Sequence, residues 1–312
     1  MVTKLIDTSI AIMRNHAVNA DRVNWTELRQ IIAEKTKSTK HPYELGDIYR
    51  DIFRRLGDYH GGIFVADSTY KWTPHQIIVN DSIKKEWLTK VYLLPQVIAE
   101  KIGYIRIPSM SNFNREDGNA LAQNLYDSLC YLLNQNVHGL VIDLRLNGGG
   151  SMHPMILGVA PLLGQGRIGS FYTLDREDWV LTGNSLIVGK DTSVSIKIRD
   201  HVDARKTPVV VLTSPITGSS AEFFIMAFKG RGKTVLLGSK TAGYTTVTRG
   251  FQIDDYSSIL LSVGYGADRT GKIYKSALMP DISIVDTDKF NDLINDEKIR
   301  AAVKWLKSQM SD

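Results

Sequence analysis

PVVVLTSPITGSSAEFF, Pro208 to Phe224, reads as a strand, a turn and a helix in a single line. Val209 to Leu212 form an unbroken apolar run rich in β-branched residues, which suits a strand covered on both faces, as in a parallel sheet. Ser214, Pro215 and Gly218 interrupt it. Ser219, with Glu222 three positions later, then has the S-x-x-E form of a helix start, in which each side chain satisfies the other residue's backbone N–H. A strand feeding a helix through a short loop is the unit of an α/β fold. The same junction suits anionic chemistry, because unpaired N–H groups and the positive end of the helix dipole favour negative charge. Ser219 is therefore a helix cap and a candidate nucleophile at once, and the N–H of Ser220 is a candidate oxyanion donor.

Working outward, the flanking segments keep the α/β order. KVYLLPQVIAEKIGYIRIP (90–108) gives two strands, NALAQNLYDSLCYLLNQ (119–135) a helix with Leu121, Leu125, Leu129 and Leu132 on one face, and VHGLVIDLRL (137–146) a nearly all-apolar strand. After the NGGG turn come a short helix, the strand–helix of 208–224, the strand KTVLLGS and a C-terminal helix over 288–308. Residues 166–205 read as short strands and polar turns, an excursion that caps the core. Before residue 87 the pattern is helical. Ile48, Tyr49, Ile52, Phe53 and Leu56 make an amphipathic stripe stopped by Gly57; Trp25, Leu28, Ile31 and Ile32 make a second, and MVTKLIDTSIAIMRNH a third. The expected organisation is a small N-terminal helical bundle over 1–86, ending in a loop around His60, and an α/β core over 87–312.

Composition narrows the function. The chain has 312 residues, 43% hydrophobic and 23% charged, so it can bury a substantial core. Its formal charge of +5 comes from scattered Lys and Arg among 33 acidic residues. Nucleic-acid binding would need a denser basic stripe with interleaved aromatics. No apolar run is long enough for a membrane span. The N-terminus lacks the continuous apolar stretch and small-residue cleavage site of an export signal. One cysteine, Cys130, excludes an intrachain disulfide framework and reads as a buried small hydrophobe.

Ser219 needs a base, because a serine hydroxyl is a weak nucleophile at neutral pH. His60, in the Gly-flanked loop LGDYHGGIF, is the first candidate among seven histidines; His153, just after the glycine turn, is the second, while His41 and His75 lie beside prolines. Gly148, Gly149 and Gly150 let backbone approach a ligand with no Cβ in the way, and a second oxyanion donor is expected among them. GRGKT (230–234) is not a phosphate loop: Ala227 occupies the glycine position and a strand follows Lys233. No dinucleotide fingerprint and no His/Cys cluster with zinc spacing is present, so neither an organic cofactor nor a metal is implied.

GDYHGGIF, IGYIRIPSM, GLVIDLRLNGGG, PVVVLTSPITGSSAEFF, GKTVLLGSKTAGY and ALMPDISI occur in that order over roughly 45–285, and together they resemble the S41 serine peptidases, the family of C-terminal processing peptidases and tricorn. The resemblance implies a ClpP/crotonase-like core, Ser219 as nucleophile three residues before Glu222, and oxyanion donors on Ser220 and on a glycine of the turn, Gly148 or Gly149. Two departures matter. The lysine base of tail-specific peptidases is replaced by Tyr244 in TAGYT, with Lys240 four residues earlier, and there is no room for a PDZ domain. The chain is closer to the tricorn-like and nisin-resistance branch, whose D-x-H histidine matches His60. The implied function is a serine endopeptidase acting on unstructured polypeptides or C-terminal tails through an acyl-enzyme. An inactive peptide- or apolar-ligand-binding protein on the same fold is the alternative, and a crotonase-like acyl-CoA enzyme a further one. Family members are often exported, which points to a periplasmic or extracellular place with a signal removed. Oligomeric state is left open.

Overall fold

A computed structural model describes residues 2–37, 39, 41–74, 77–112, 114–198, 202–285 and 288–310; His75 lies outside them. The fold is mixed α/β. It has two compact units, one of Met1–Gln76, Tyr172–Asp175 and Thr246–Tyr265, the other of Ile77–Phe171, Arg176–Thr245 and Gly266–Asp312. This division differs from a single cut between 86 and 87 because strand pairing returns residues 246–265 to the N-terminal helices.

In the first unit, helices Val2–His16, Trp25–Lys35 and Gly46–Leu56 follow the three apolar stripes. Gly57, at φ +65°, ends the third with a left-handed cap whose N–H meets the Phe53 and Arg54 carbonyls. The helices pack on a sheet as well as on one another. Gly62–Val65 runs antiparallel to Ser257–Leu260, and Thr246–Asp254 also pairs with the long strand Ser257–Asp268. Ile10, Met13, Leu28, Ile52 and Phe53 share one core with Ile259 and Leu261. Period-two burial along a strand that starts 200 residues later in the chain is not visible from the helical segment alone.

The second unit is built on a six-stranded sheet in the order Ile282–Ser283, Thr234–Gly238, Val209–Thr213, Gly139–Asp143, Ile102–Arg106, Leu94–Ala99. All neighbours are parallel except the last pair. Gly139–Asp143 and Val209–Thr213 are buried at every position, which explains their unalternating apolar sequence. The helix Arg115–Leu133 buries Leu125, Leu129 and Leu132 and leaves Cys130 only partly covered, a correction to the buried reading. Within 166–205 lie the strands Gly166–Tyr172, Arg176–Thr182, Ser185–Val188 and Asp191–Ser195. Trp179 packs edge-on against Phe171 and Phe223, with ring centroids 4.7 and 5.9 Å away, and so ties this region to the helix Ser220–Phe228.

The C-terminal helix begins at Glu297, not 288. Asp288 and Asp296 turn inward instead, each 2.7 Å from Nη1 of Arg145, while Asp143 takes the guanidinium at Nε and Nη2 (3.0 and 2.7 Å). Lys298 Nζ adds a bond of 2.8 Å to Asp288, and all five side chains are buried. Burial raises the Asp143 carboxyl, but Arg145 and its hydrogen bonds outweigh that and hold it down at about 2. The cluster anchors the stretch between the central strand and the glycine turn. Removing the cation would leave three buried carboxylates underpaired, so Arg145→Ala is expected to cost about 3–5 kcal/mol, measured as a lower denaturant midpoint. An unchanged midpoint would show that the cluster does not support the fold.

Candidate active site

Ser219 initiates the helix Ser220–Phe228 with φ +56° and ψ −121°. A side chain in that region carries strain of about 1–3 kcal/mol, tolerated only where surrounding bonds over-determine the backbone. They do so here. Glu222 Oε2 accepts the Ser219 N–H at 2.9 Å, the Ser219 carbonyl accepts the Glu222 N–H at 2.8 Å, and the N–H of Gly218 donates to the Asn147 carbonyl at 3.2 Å. Thr217 Oγ1 donates to the Leu144 carbonyl (2.8 Å) and Ser214 Oγ to that of Arg145 (2.6 Å), stitching the serine loop to the strand end. Among the described residues the N–H of Ser220 meets no protein acceptor, while its hydroxyl donates to the Gly150 carbonyl at 2.8 Å.

The glycine turn lies against this corner. A Cβ on Gly149, whose φ is +115°, would sit 2.9 Å from Ser219 Cβ and 3.1 Å from the Ser220 nitrogen. Gly149→Ala is therefore expected to push Ser219 aside and cut kcat/KM by about 100-fold or more with the fold intact by circular dichroism; wild-type turnover would show that the approach is not needed. The two glycine amides named from sequence already hold acceptors: Gly148 N–H donates to Ser109 Oγ and Gly149 N–H to Asn147 Oδ1, both at 2.9 Å. Asn147, fully buried, is a residue that sequence reading missed. Its Nδ2 reaches the Pro108 carbonyl at 2.9 Å, which fixes the turn from behind.

Glu222 is fully buried, and its Oε1 accepts from Thr241 Oγ1 at 2.5 Å and from Gly243 N–H at 3.0 Å. Burial pushes its carboxyl up to about 7, against the downward pull of the Thr241 hydroxyl and the Ser219, Gly243 and Tyr244 N–H groups. The glutamate thus joins the serine corner to the loop carrying Tyr244, a second link absent from the sequence reading. Tyr244 is partly buried, and a Cβ on Gly218 would lie 3.2 Å from its ring. Burial, then Glu222, raises its phenol. Lys240 is exposed, whereas a lysine base works neutral and desolvated. Burial lowers the His153 imidazole, on the helix Met152–Gly158.

Ser219, Ser220, Glu222, Gly148, Gly149 and Tyr244 thus belong to the second unit, and His60 to the first. There, His60 Nδ1 lies 3.1 Å from the Thr246 carbonyl and 2.9 Å from its hydroxyl. A carbonyl only accepts, so Nδ1 carries the proton and Nε2 keeps its lone pair, the tautomer a base requires. Asp58 Oδ1 accepts from the N–H groups of His60 (3.1 Å) and Gly61 (2.8 Å) and from Ser262 Oγ (2.8 Å), and Ser262 Oγ is also 2.9 Å from Thr246 Oγ1. Asp58 thereby holds the loop backbone and reaches the histidine's partner through a hydroxyl. Burial lowers the His60 imidazole to about 4, and Asp58 and the Thr246 carbonyl only partly oppose it.

Among the described residues no cluster of three or more His, Cys, Asp or Glu is arranged to hold a metal, and no helix is long and apolar enough to cross a membrane. Residues 101–284, more than half of the chain, match the family model "Peptidase family S41". The chain is 28% identical over 309 residues to a nisin-resistance protein of Lactococcus lactis, covering 98% of this chain and 87% of that one. It is 31% identical over 183 residues to a carboxyl-terminal-processing protease of Picosynechococcus, covering 58% of this chain but only 39% of that protein. A solved lipoprotein structure from Streptococcus agalactiae superposes with a TM-score of 0.70 at 22% identity over 98% of this chain and 96% of its own, a likeness of fold.

Proposed function

The chain belongs to peptidase family S41, and from that premise we propose that it is a serine endopeptidase with a ClpP/crotonase-type core. The observation that carries this reading is the backbone of Ser219, held in a left-handed corner beside the glycine turn and a Ser220 N–H that meets no acceptor among the described residues. Ser219 Oγ attacks the peptide carbonyl carbon while its proton passes to His60 Nε2. The oxyanion rests on the Ser220 N–H and on the glycine turn. Of the two sequence candidates Gly149 abuts Ser219, and its N–H exchanges Asn147 Oδ1 for the oxyanion. His60 then protonates the leaving amine, and water resolves the acyl-enzyme by the reverse relay. Glu222 holds the corner in shape, and Tyr244 lines it.

Relatives named for nisin resistance and for carboxyl-terminal processing favour an unstructured peptide or polypeptide tail as substrate. New termini in a mixed peptide pool, read by mass spectrometry, test the activity. Tyr244, standing where related peptidases place a lysine, favours one second reading, a peptide-binding protein without chemistry. Saturable binding with no new termini would establish it.

A further inference from the structure

We propose that Trp87 forms the wall of a substrate subsite beside the catalytic corner and selects an aromatic or large aliphatic residue next to the scissile bond. This rests on the peptidase reading and names the substrate feature that the site takes.

The helix Asp81–Trp87 is a short strap fixed at several points. Asn80 caps it by accepting the Ile83 N–H at 2.9 Å and donates through Nδ2 to Asp288 at 2.8 Å, a carboxylate of the buried Arg145 cluster. Ile83 is buried with Leu146 and Phe290, and Val79, Val91 and Ile216 pack around them. Leu146 precedes the glycine turn and Ile216 precedes Ser219, so the strap is clamped to both loops that frame the serine.

At the end of this strap the Trp87 ring meets the glycine turn. A Cβ on Gly148 would lie 2.5 Å from Cη2 and 3.2 Å from Cζ2 of the indole, so the ring edge touches the glycine backbone itself. Gly148 is bonded to Gly149, which abuts Ser219. The indole thus lies one residue along the turn from the glycine that abuts Ser219, a step comparable with the ~3.3–3.6 Å that one extended substrate residue spans. Yet Trp87 remains 42% exposed although its neighbours are fixed. A rigid indole, anchored on one edge and open on another, presents an apolar surface that a flat or bulky apolar side chain covers with gain, and on which a charged group would lose hydration. Gly148 is glycine because the ring occupies the place of its side chain.

The test compares wild type, Trp87→Phe and Trp87→Ala on peptide pairs differing only in Phe or Ala at one position flanking the cleaved bond. Wild type and Trp87→Phe are expected to prefer Phe by about 10- to 200-fold in kcat/KM, mainly through KM, and Trp87→Ala to lose that preference. Binding of uncleaved peptides to the Ser219→Ala protein, with and without Trp87→Ala, is measured in parallel. Cleavage with the same preference in Trp87→Ala overturns this inference alone. Trp87-dependent binding of the Phe peptide with no cleavage by wild type upholds the subsite and overturns the peptidase reading, and neither cleavage nor Trp87-dependent binding overturns both.

Discussion

Ser219→Ala is expected to abolish peptide cleavage, on the order of 10⁶-fold in kcat, while leaving the thermal midpoint close to wild type. The two readings of this serine, cap and nucleophile, separate because of how the cap is made. The Glu222 carboxylate grips the backbone N–H of residue 219, and the Glu222 N–H meets the backbone carbonyl of residue 219, so these two bonds survive loss of the hydroxyl, and only the share of the Glu222 N–H that the Ser219 side chain takes in the capping box is lost. A structural serine would instead cost about 1 kcal/mol on truncation. Ser219→Gly sharpens the contrast. At φ +56° glycine relieves about 1–3 kcal/mol of strain and gives back about 0.5–1 kcal/mol in unfolded-state entropy, so the inactive glycine variant melts no lower than wild type and is expected to melt higher. Cleavage by either variant removes Ser219 as nucleophile. Marked destabilisation of both with cleavage intact makes it a cap alone.

What the sequence displays of this corner follows from local chemistry. The S-x-x-E pair, the glycine run and the unalternating apolar strands each depend on residues within a few positions, and they led to the α/β class and the family. The restraints that hold the corner are not local. Asn147 looks like part of a turn, and nothing marks it as the brace behind Gly149. Thr241 reads as a loop residue, yet its hydroxyl meets a glutamate 19 positions away. The final helix shows the same limit: its apolar period extends back toward 288, but two aspartates are drawn to a guanidinium more than 140 residues earlier, and the helix starts only after they are placed. Thr246 and Ser262 are further cases, because their role depends on strand register, which brings them to the His60 loop from the far end of the chain.

That register supports the second large effect. His60→Ala is expected to lower kcat/KM on the order of 10⁴-fold, the contribution of a positioned general base. The pH profile of wild type identifies the group further. Burial holds the imidazole at about 4, against an unperturbed value near 6.5, so His60 stays neutral and able to accept a proton well below pH 6. The acid limb of kcat/KM should thus fall near pH 4 to 5, not near 6.5. Stability carries the same signature with a definite sign. Between pH 6.5 and 4 the unfolded chain binds a proton at this position that the folded chain does not, so wild type loses stability as pH falls through that window, by up to about 3 kcal/mol, and His60→Gln does not share the loss. Melting curves of the two proteins at pH 7 and pH 4.5 measure the difference. An acid limb at 6.5 with parallel melting curves would mean that His60 is solvated, and full turnover by His60→Ala would pass the base to another group, with Lys240→Ala the next variant to assay.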